Sequence, residues 1–590
     1  MSSHLLAISI GPVQEFIAAA RRTRDLWYGS NLLSEISKAT SKSIQVQGGE
    51  LIFPAPEDPA DLEPDSDLKV ANVILAELRD LDPRSVASQA KEAAKNLWKK
   101  KAAAVFETYE DFIRRDIWNA QIDDVIEFYA AWMPLGDNYK QARRRVMSLL
   151  DGRKHGKDFH PAKGQPGIPK SSLDGLRESV LKPSKEWPEQ TRRSLRLLEG
   201  EQLDVVGIVK RTGGGKRSYP SVARVAADPW IRGLVRAHEQ AKLDPLLQAC
   251  ETLDSDKIHR LDVTDRGQPS YAAFPFEGTA VFRSRYPDLK DEANLSPEEI
   301  KNLGDLLADL TRRAGEPSPY LAVLVADGDR MGKALSEIES ARDHRTFSRK
   351  LSRFAEDARA IVNQHSGILV YAGGDDVLAF LPADLALGCA RQLHEQFGEL
   401  MKPWSDETGK PLTLSVGLAI AHFMDNLEDL LEYGRDAERH AKKSRVEVGP
   451  EDERDGLAVH AIKRGGGPVE MRAKWSDNPD DWLTMLAKLQ NSDAIPGRVA
   501  YDLHRVADVY ENWPDKGQVA AAIRRDVLRI IKLKQPRERG GLEAIKELLP
   551  DRVFDATSLR RLADEILIAR QIATAIRQGE GRKPVEEVTS

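Results

Sequence analysis

Between residues 320 and 423 four apolar runs, at 321–326, 368–372, 377–381 and 412–423, alternate with two stretches of helical periodicity. One stretch repeats Phe347, Leu351, Phe354, Ala358 and Ile361. The other repeats Leu385, Cys389, Leu393 and Phe397, with Asp384 placed to cap it. A further amphipathic stretch, "NLEDLLEYGRDAERHAKKS", follows the last run. The order β-α-β-β-α-β plus a helix is the ferredoxin-like pattern. Right-handed crossovers make the first two strands parallel, with the third between them and antiparallel. The end of the first strand is therefore expected beside the hairpin that joins the second and third.

That placement matters because the first run ends in Asp327-Gly328-Asp329 and the hairpin reads "LVYAGGDDVLAFLP", with Asp375 and Asp376 adjacent. Adjacent carboxylates repel, and each loses hydration as its surroundings become apolar. Separate solvated turns would be the bland reading. The fold instead predicts that Asp327, Asp375 and Asp376 converge without a basic partner, which suits a hard divalent cation, Mg2+ or Mn2+. Two such ions polarise an attacking hydroxyl and neutralise a leaving pyrophosphate. Asp327, Asp375 and Asp376 are thus the candidate metal-binding and catalytic residues. Gly373 and Gly374 let the backbone approach a nucleotide without Cβ interference. Gly328, Asp329, Met331 and Gly332 form a turn ahead of a helix whose amides can face phosphates. Strand alternation would point Asp329 to the opposite side from Asp327, unless the turn intervenes. Lys442, on the helix after the fourth strand, is a candidate for neutralising a triphosphate; the alternative is an ordinary solvated lysine.

The first 150 residues repeat the plan in diverged form, with a strand at 4–11, a long helix at 13–44, strands near 50–54 and 71–77, a helix at 84–107 and a strand near 125–135. Here the first strand ends in Ile10-Gly11-Pro12, with no aspartate, and the hairpin region lacks Gly-Gly-Asp-Asp, so this half is not expected to hold metal. Residues 151–315 are rich in loops and basic pieces. "VKRTGGGKRSYP" is not a P-loop, since Arg217 replaces the Ser/Thr, and is read as a flexible basic loop for nucleic-acid phosphates. From about 476 the chain is helical by pattern.

The 590 residues exceed one core, and a net charge of −6 announces no nucleic-acid binder by itself. Two cysteines exclude a disulfide framework and a four-cysteine zinc site. No signal peptide or apolar run of about 20 residues is present, so the expectation is a cytoplasmic protein without membrane contact.

"DGDRMG", "YAGGDDVLAF" and "LSVGLAIAH" together resemble the palm domain shared by nucleotidyl cyclases, GGDEF diguanylate cyclases and the large subunit of type III CRISPR effector complexes. Asp-Asp in place of Asp-Glu-Phe favours the CRISPR branch. "ISIGPVQEFIAAARRTRDLWYGSNLLS", "LIFPAP" with "ANVILAEL", and "EGEQLDVVGIVKR" with "YPSVARVA" resemble the type III-B (Cmr-type) large subunit, often called Cas-ten. The resemblance implies an α+β chain with two ferredoxin-like (palm/cyclase) domains, 1–150 and 316–475, an intervening α-rich insertion at 151–315 and a C-terminal helical bundle at 476–590. It implies a target-RNA-activated cyclase in antiviral defence that turns ATP into cyclic oligoadenylate with release of pyrophosphate. The implied partners are the other Cmr-type subunits, guide CRISPR RNA and target RNA. The first palm would face the second, with "AARRTRDLW" lining the cleft. Alternatives are a non-catalytic nucleotide- and RNA-binding scaffold, AMP transfer to another small molecule, or a stand-alone diguanylate cyclase.

The chain departs from the family at two places. Relatives often carry an N-terminal HD nuclease domain, but the first palm strand here starts at residue 4 and no His-Asp dipeptide occurs. Where many relatives have a cysteine pair, "IPKSSLDGLRESV" offers serines and an aspartate, so zinc is not expected there. The purified chain should show no manganese- or nickel-dependent cleavage of single-stranded DNA. Robust cleavage that copurifies with the chain through successive columns would contradict this.

Overall fold

The computed structural model describes residues 3–582 except 65, 157–163, 199, 215–218, 238–239, 254–256, 263–267, 444–452, 493, 497, 514–515, 535–552 and 554. Two sheets organise it. The first contains β1 (Ser3–Gly11), β2 (Glu50–Phe53), β3 (Val73–Arg79) and β4 (Glu127–Pro134), in the order β2-β3-β1-β4. The second contains β5 (Tyr320–Gly328), β6 (Ile368–Gly373), β7 (Asp376–Pro382), β8 (Leu414–His422), β9 (Gly456–Ala461) and β10 (Val469–Lys474), in the order β10-β9-β8-β5-β7-β6. Its β6-β7-β5-β8 portion has the same ferredoxin-like order as the first sheet, so the topological duplication read from sequence is present. β9 pairs parallel to β8 and extends the sheet, with β10 antiparallel at the edge. These two strands are absent from the sequence reading.

Alternation along β5 divides the second sheet's faces. Ala322, Leu324 and Ala326 join a core with the helices Ala341–Gln364 and Ala386–Met401. Leu321 and Val323 join the core shared with the first sheet. The helix Leu427–Ala441 crosses that second face so closely that a Cβ on Gly434 would lie 2.8 Å from Val325. The two sheets' halves also dock reciprocally. The helix Thr23–Val46 lies against β6, and the helix Ala341–Gln364 lies against β2. Arg345 seals the second contact through the Leu51 carbonyl at 2.9 Å and Glu50 at 2.9 Å.

The expected helix at 13–44 is broken. Gln14–Ala18 and Thr23–Val46 are separate helices, with Arg22 in extended conformation between them. The carbonyls left open at the break are taken by Lys210, whose fully buried ammonium donates to Phe16 O at 2.6 Å and Ala19 O at 2.5 Å. Neighbouring Arg211 is buried between Asp25 (2.9 Å) and Glu201 (3.0 Å). The first part of the supposed basic loop is therefore structural, the end of the helix Val205–Thr212; residues 215–218 lie outside the described set. The arginines of "AARRTRDLW" do not line the cleft between the sheets either. Arg21, Arg22 and Arg24 line a groove bounded by Arg196, residues 423–426 and the start of the helix Leu427–Ala441, where Arg22 donates to Arg196 O at 2.7 Å and Arg24 to Gly213 O at 2.9 Å.

Where relatives have cysteines, a hydrogen-bonded loop stands: Ser171 N donates to Arg177 O at 2.8 Å and Ser172 Oγ accepts from Gln202 N at 3.0 Å. Asp384 is not a helix cap, because Leu385 fills that position without a side-chain bond. Its carboxylate instead accepts two 3.0 Å hydrogen bonds from Arg232, whose Nε donates to buried Asp228 at 3.0 Å. The end of the C-terminal helix Ala556–Gly579 sits on this group; a Cβ on Gly579 would lie 2.8 Å from Asp384 Oδ2. No helix among the described residues is long and apolar enough to cross a membrane. Removing the guanidinium would leave Asp384 buried without a counterion, while Asp228 keeps the Arg224 guanidinium at 3.4 Å and the Ser270 hydroxyl at 2.7 Å. Arg232→Ala should therefore destabilise the protein by about 3–5 kcal/mol, measured as a shift in the urea-unfolding midpoint against wild type.

Candidate active site

The site is assembled by strand register. Ala326 pairs with Val377 and Gly373 with Asp376, so Asp327 emerges from β5 beside the two-residue turn Gly374-Asp375. Gly374 has φ +90°, the left-handed side that a tight hairpin turn needs at its first position and that glycine adopts without strain. Asp327, Asp375 and Asp376 each bring a carboxylate oxygen within 4.8 Å of the others. The three carboxylates meet as the sequence leads one to expect, but not without a basic partner, because the Lys442 ammonium pairs with Asp327. Asp327 and Asp375 are half-buried, and Asp376 opens to the cleft.

Close packing holds the arrangement. A Cβ on Gly328 would lie 2.8 Å from both Asp375 Cβ and Met331 Cγ, so only glycine lets the end of β5 meet the hairpin. A Cβ on Gly373 would fall on the Tyr371 hydroxyl, which covers the hairpin backbone. The Met331 side chain is buried in the core, leaving only its backbone for a ligand, while Gly332 faces open space.

Asp329 is the sequence candidate that the structure does not bring to the cluster. It is fully buried, and its carboxylate accepts from Thr413 Oγ1 at 2.8 Å, Ser415 Oγ at 2.8 Å and the Asp455 amide at 3.0 Å. Alternation does continue through Gly328, and Asp329 anchors β5 to the start of β8 and to the entry of β9.

Lys442, in contrast, is at the site. Its ammonium is paired with Asp327 Oδ2 and lies 3.0 Å from Glu438 Oε1. Burial and the Arg454 guanidinium pull it down to about 8 despite these carboxylate partners. Glu438, which the sequence reading missed, is a fourth carboxylate here. Burial, then the charges of Asp376 and Asp329, push it up to about 7. Its signal in the sequence was the i, i+4 spacing to Lys442. Crowding by protein atoms raises Asp375 and Asp376 well above the ordinary carboxylate range, and the Asp376 charge adds to the rise at Asp375. Because both carboxylates reach the cleft, residual hydration moderates the first of these causes. No second carboxylate cluster of this kind lies in the first sheet's half among the described residues; Ile10-Gly11 ends β1 where Asp327-Gly328 ends β5.

Two ferredoxin-like halves with acids at one hairpin define a palm-domain protein. Residues 320–449 match the family model for Cas10/Cmr2, second palm domain, and residues 5–103 match that for CRISPR-associated protein Cmr2, N-terminal. Both models describe parts of Cas10/Cmr2 proteins, and they match two separate segments of this chain. A curated relative, "CRISPR system Cmr subunit Cmr2" of Pyrococcus furiosus, is 30% identical over 297 residues, covering 44% of this chain and 32% of the relative. The chain thus matches about a third of that relative's length. Among solved structures, the type III-B Cmr-beta cryo-EM structure in the apo state superimposes with a TM-score of 0.62 at 14% identity, covering 97% of this chain and 82% of that one. The Cmr-beta structure bound to cognate target RNA gives 0.61 at 15% identity, covering 92% and 80%. These two establish a shared fold.

The raised carboxyls carry a signed consequence. Folded values above the unfolded one mean that the native state binds more protons, so stability falls as pH rises from 3.8 through the raised values. In metal-free buffer Asp375→Asn with Asp376→Asn should unfold at a higher temperature than wild type at about pH 8, with the gap closing towards about pH 4. Added Mg2+ should also narrow it, by stabilising wild type alone. Calorimetric melting across pH checks this.

Proposed function

We propose that the chain is a metal-dependent nucleotidyltransferase, the large subunit of a type III-B effector complex. Guide RNA paired with target RNA would switch it on to convert ATP into cyclic oligoadenylate, releasing pyrophosphate. The observation that carries the reading is the convergence of Asp327, Asp375 and Asp376 at a glycine hairpin that leaves room above it. The donor set fits a hard cation: three carboxylate oxygens, no thiolate, and an open side. Bound there, Mg2+ or Mn2+ would supply polarisation of a 3′-hydroxyl and charge neutralisation at the triphosphate.

The chain's own residues have distinct parts in this reading. Asp327, Asp375 and Asp376 hold the cation. Gly373 and Gly374 admit the nucleotide close to the backbone. Lys442 neutralises Asp327 while the cation is away and turns to a phosphate when it is present, a swap favoured by its half-buried position and lowered affinity for its proton. Glu438 receives Lys442 on one side and supports no obvious proton transfer to substrate. Other Cmr-type subunits, guide RNA and target RNA are taken as partners by analogy with the assembly whose fold the chain shares, which was solved with cognate target RNA. A scaffold role is disfavoured because a site that only binds would have no need to keep three repelling carboxylates together.

The test uses labelled ATP with the chain and with its assembled complex. Asp375→Ala with Asp376→Ala should abolish product while target-RNA binding persists. Asp327→Asn should lower Mg2+ affinity by more than the roughly 10–100-fold seen when only a ligand's support is removed, with partial rescue at high Mg2+. Product formation by Asp327→Asn that follows the wild-type Mg2+ curve would sink the three-carboxylate site.

A further inference from the structure

The helix Leu427–Ala441 has a second chemical face. Glu438 and Lys442 look towards Asp327, and His440, two residues from each, projects to the other side. There it meets His460 near the end of β9 and Glu470 on β10, which is the direct cross-strand partner of His460. His440 Nδ1 lies 2.9 Å from His460 Nε2. Glu470 Oε2 lies 3.8 Å from the first nitrogen and 3.9 Å from the second. Two imidazole nitrogens and one carboxylate oxygen thus form a small triangle contributed by three separate elements.

We infer that His440, His460 and Glu470 form a zinc-class metal site, distinct from the acidic cluster. Bonds of about 2.0–2.2 Å in a tetrahedral centre put donors about 3.4 Å apart, close to the mean edge of this triangle. The floor is dry and the mouth open: the side chains of His440 and His460 are 16% and 5% exposed, that of Glu470 44%. This leaves a fourth position for water. Burial keeps His460 below the ordinary imidazole value, hence neutral, the ligating form. At 2.9 Å one ring donates its N–H to the other, and a bound ion would replace that proton, which leaves to solvent. Asp436 lines the same recess but is paired there with Arg439, and Lys443 and Lys463 also line it and oppose a cation. That opposition selects an ion bonded by imidazole over a hard ion held by charge alone, so Zn2+ or Co2+ is favoured and Mg2+ is not. The ion would pin the β9–β10 extension to the helix that carries Glu438 and Lys442.

The experiment is a Co2+ titration of the tag-free full chain carrying Asp375→Asn and Asp376→Asn, which silences the acidic cluster. One equivalent of Co2+ should give the absorption of a four-coordinate nitrogen–oxygen site, be displaced by Zn2+ and ignore excess Mg2+. His440→Gln and His460→Gln should each weaken binding at least about 100-fold, and Glu470→Gln about tenfold. Glu470 is half-exposed, so its variant reads the site even if His460→Gln fails to fold. Absence of a four-coordinate Co2+ signal, or parental affinity in His440→Gln and Glu470→Gln, would overturn the assignment and leave a hydrogen-bonded histidine pair.

Discussion

The pairing of β5 with β7 is the constraint on which the acidic cluster depends. Ala326 opposite Val377 puts Asp327 just past the last paired residue, level with the hairpin turn. A slip of one residue would send the whole alternating set of β5 to the other face, burying Asp327 among Phe347, Phe354 and Phe397. The register is held from both sides. Apolar residues fill each face, and Asp329 fastens the end of β5 to Thr413, Ser415 and the Asp455 amide. A buried carboxylate with several hydrogen bonds is costly to displace. The residue that looked like a ligand is thus better understood as the anchor that keeps its neighbour one position earlier in place.

Charge also binds distant segments. Lys210 closes a helix break near residue 19, Arg211 joins Asp25 to Glu201, and Arg232 joins Asp228 to Asp384. Each is buried and each spans elements that sequence places far apart. Buried pairs contribute little net stability compared with apolar packing, but a broken one is expensive, so they discriminate against misplaced segments more than they strengthen the right one.

Much of this was legible in the sequence. The four apolar runs of the second sheet are long, bounded and separated by strongly periodic helices, so order and handedness followed, and with them the meeting of Asp327 with Asp375 and Asp376. What was not legible depended on partners remote in sequence. The helix break at 19–22 has no glycine or proline; the carbonyls it leaves open are satisfied by Lys210, which donates to them from a remote helix. Asp384 has the composition and position of a cap, and Arg232 overrides it. β10 alternates Glu470, Arg472 and Lys474 with apolar residues, an edge strand's pattern, but it is only six residues long and follows a glycine-rich stretch, so the sequence alone assigns no strand there. Glu438 carried only its i, i+4 spacing to Lys442, a spacing that exposed helical pairs share.

The reciprocal docking has a mechanical meaning. Each half lays its long helix on the other's hairpin strand, Thr23–Val46 on β6 and Ala341–Gln364 on β2. β6 runs directly into Gly373 and the acidic turn. The half that lacks the acidic cluster is thus in direct contact with the strand that carries Gly373, so the position of the acidic hairpin is defined against both halves at once.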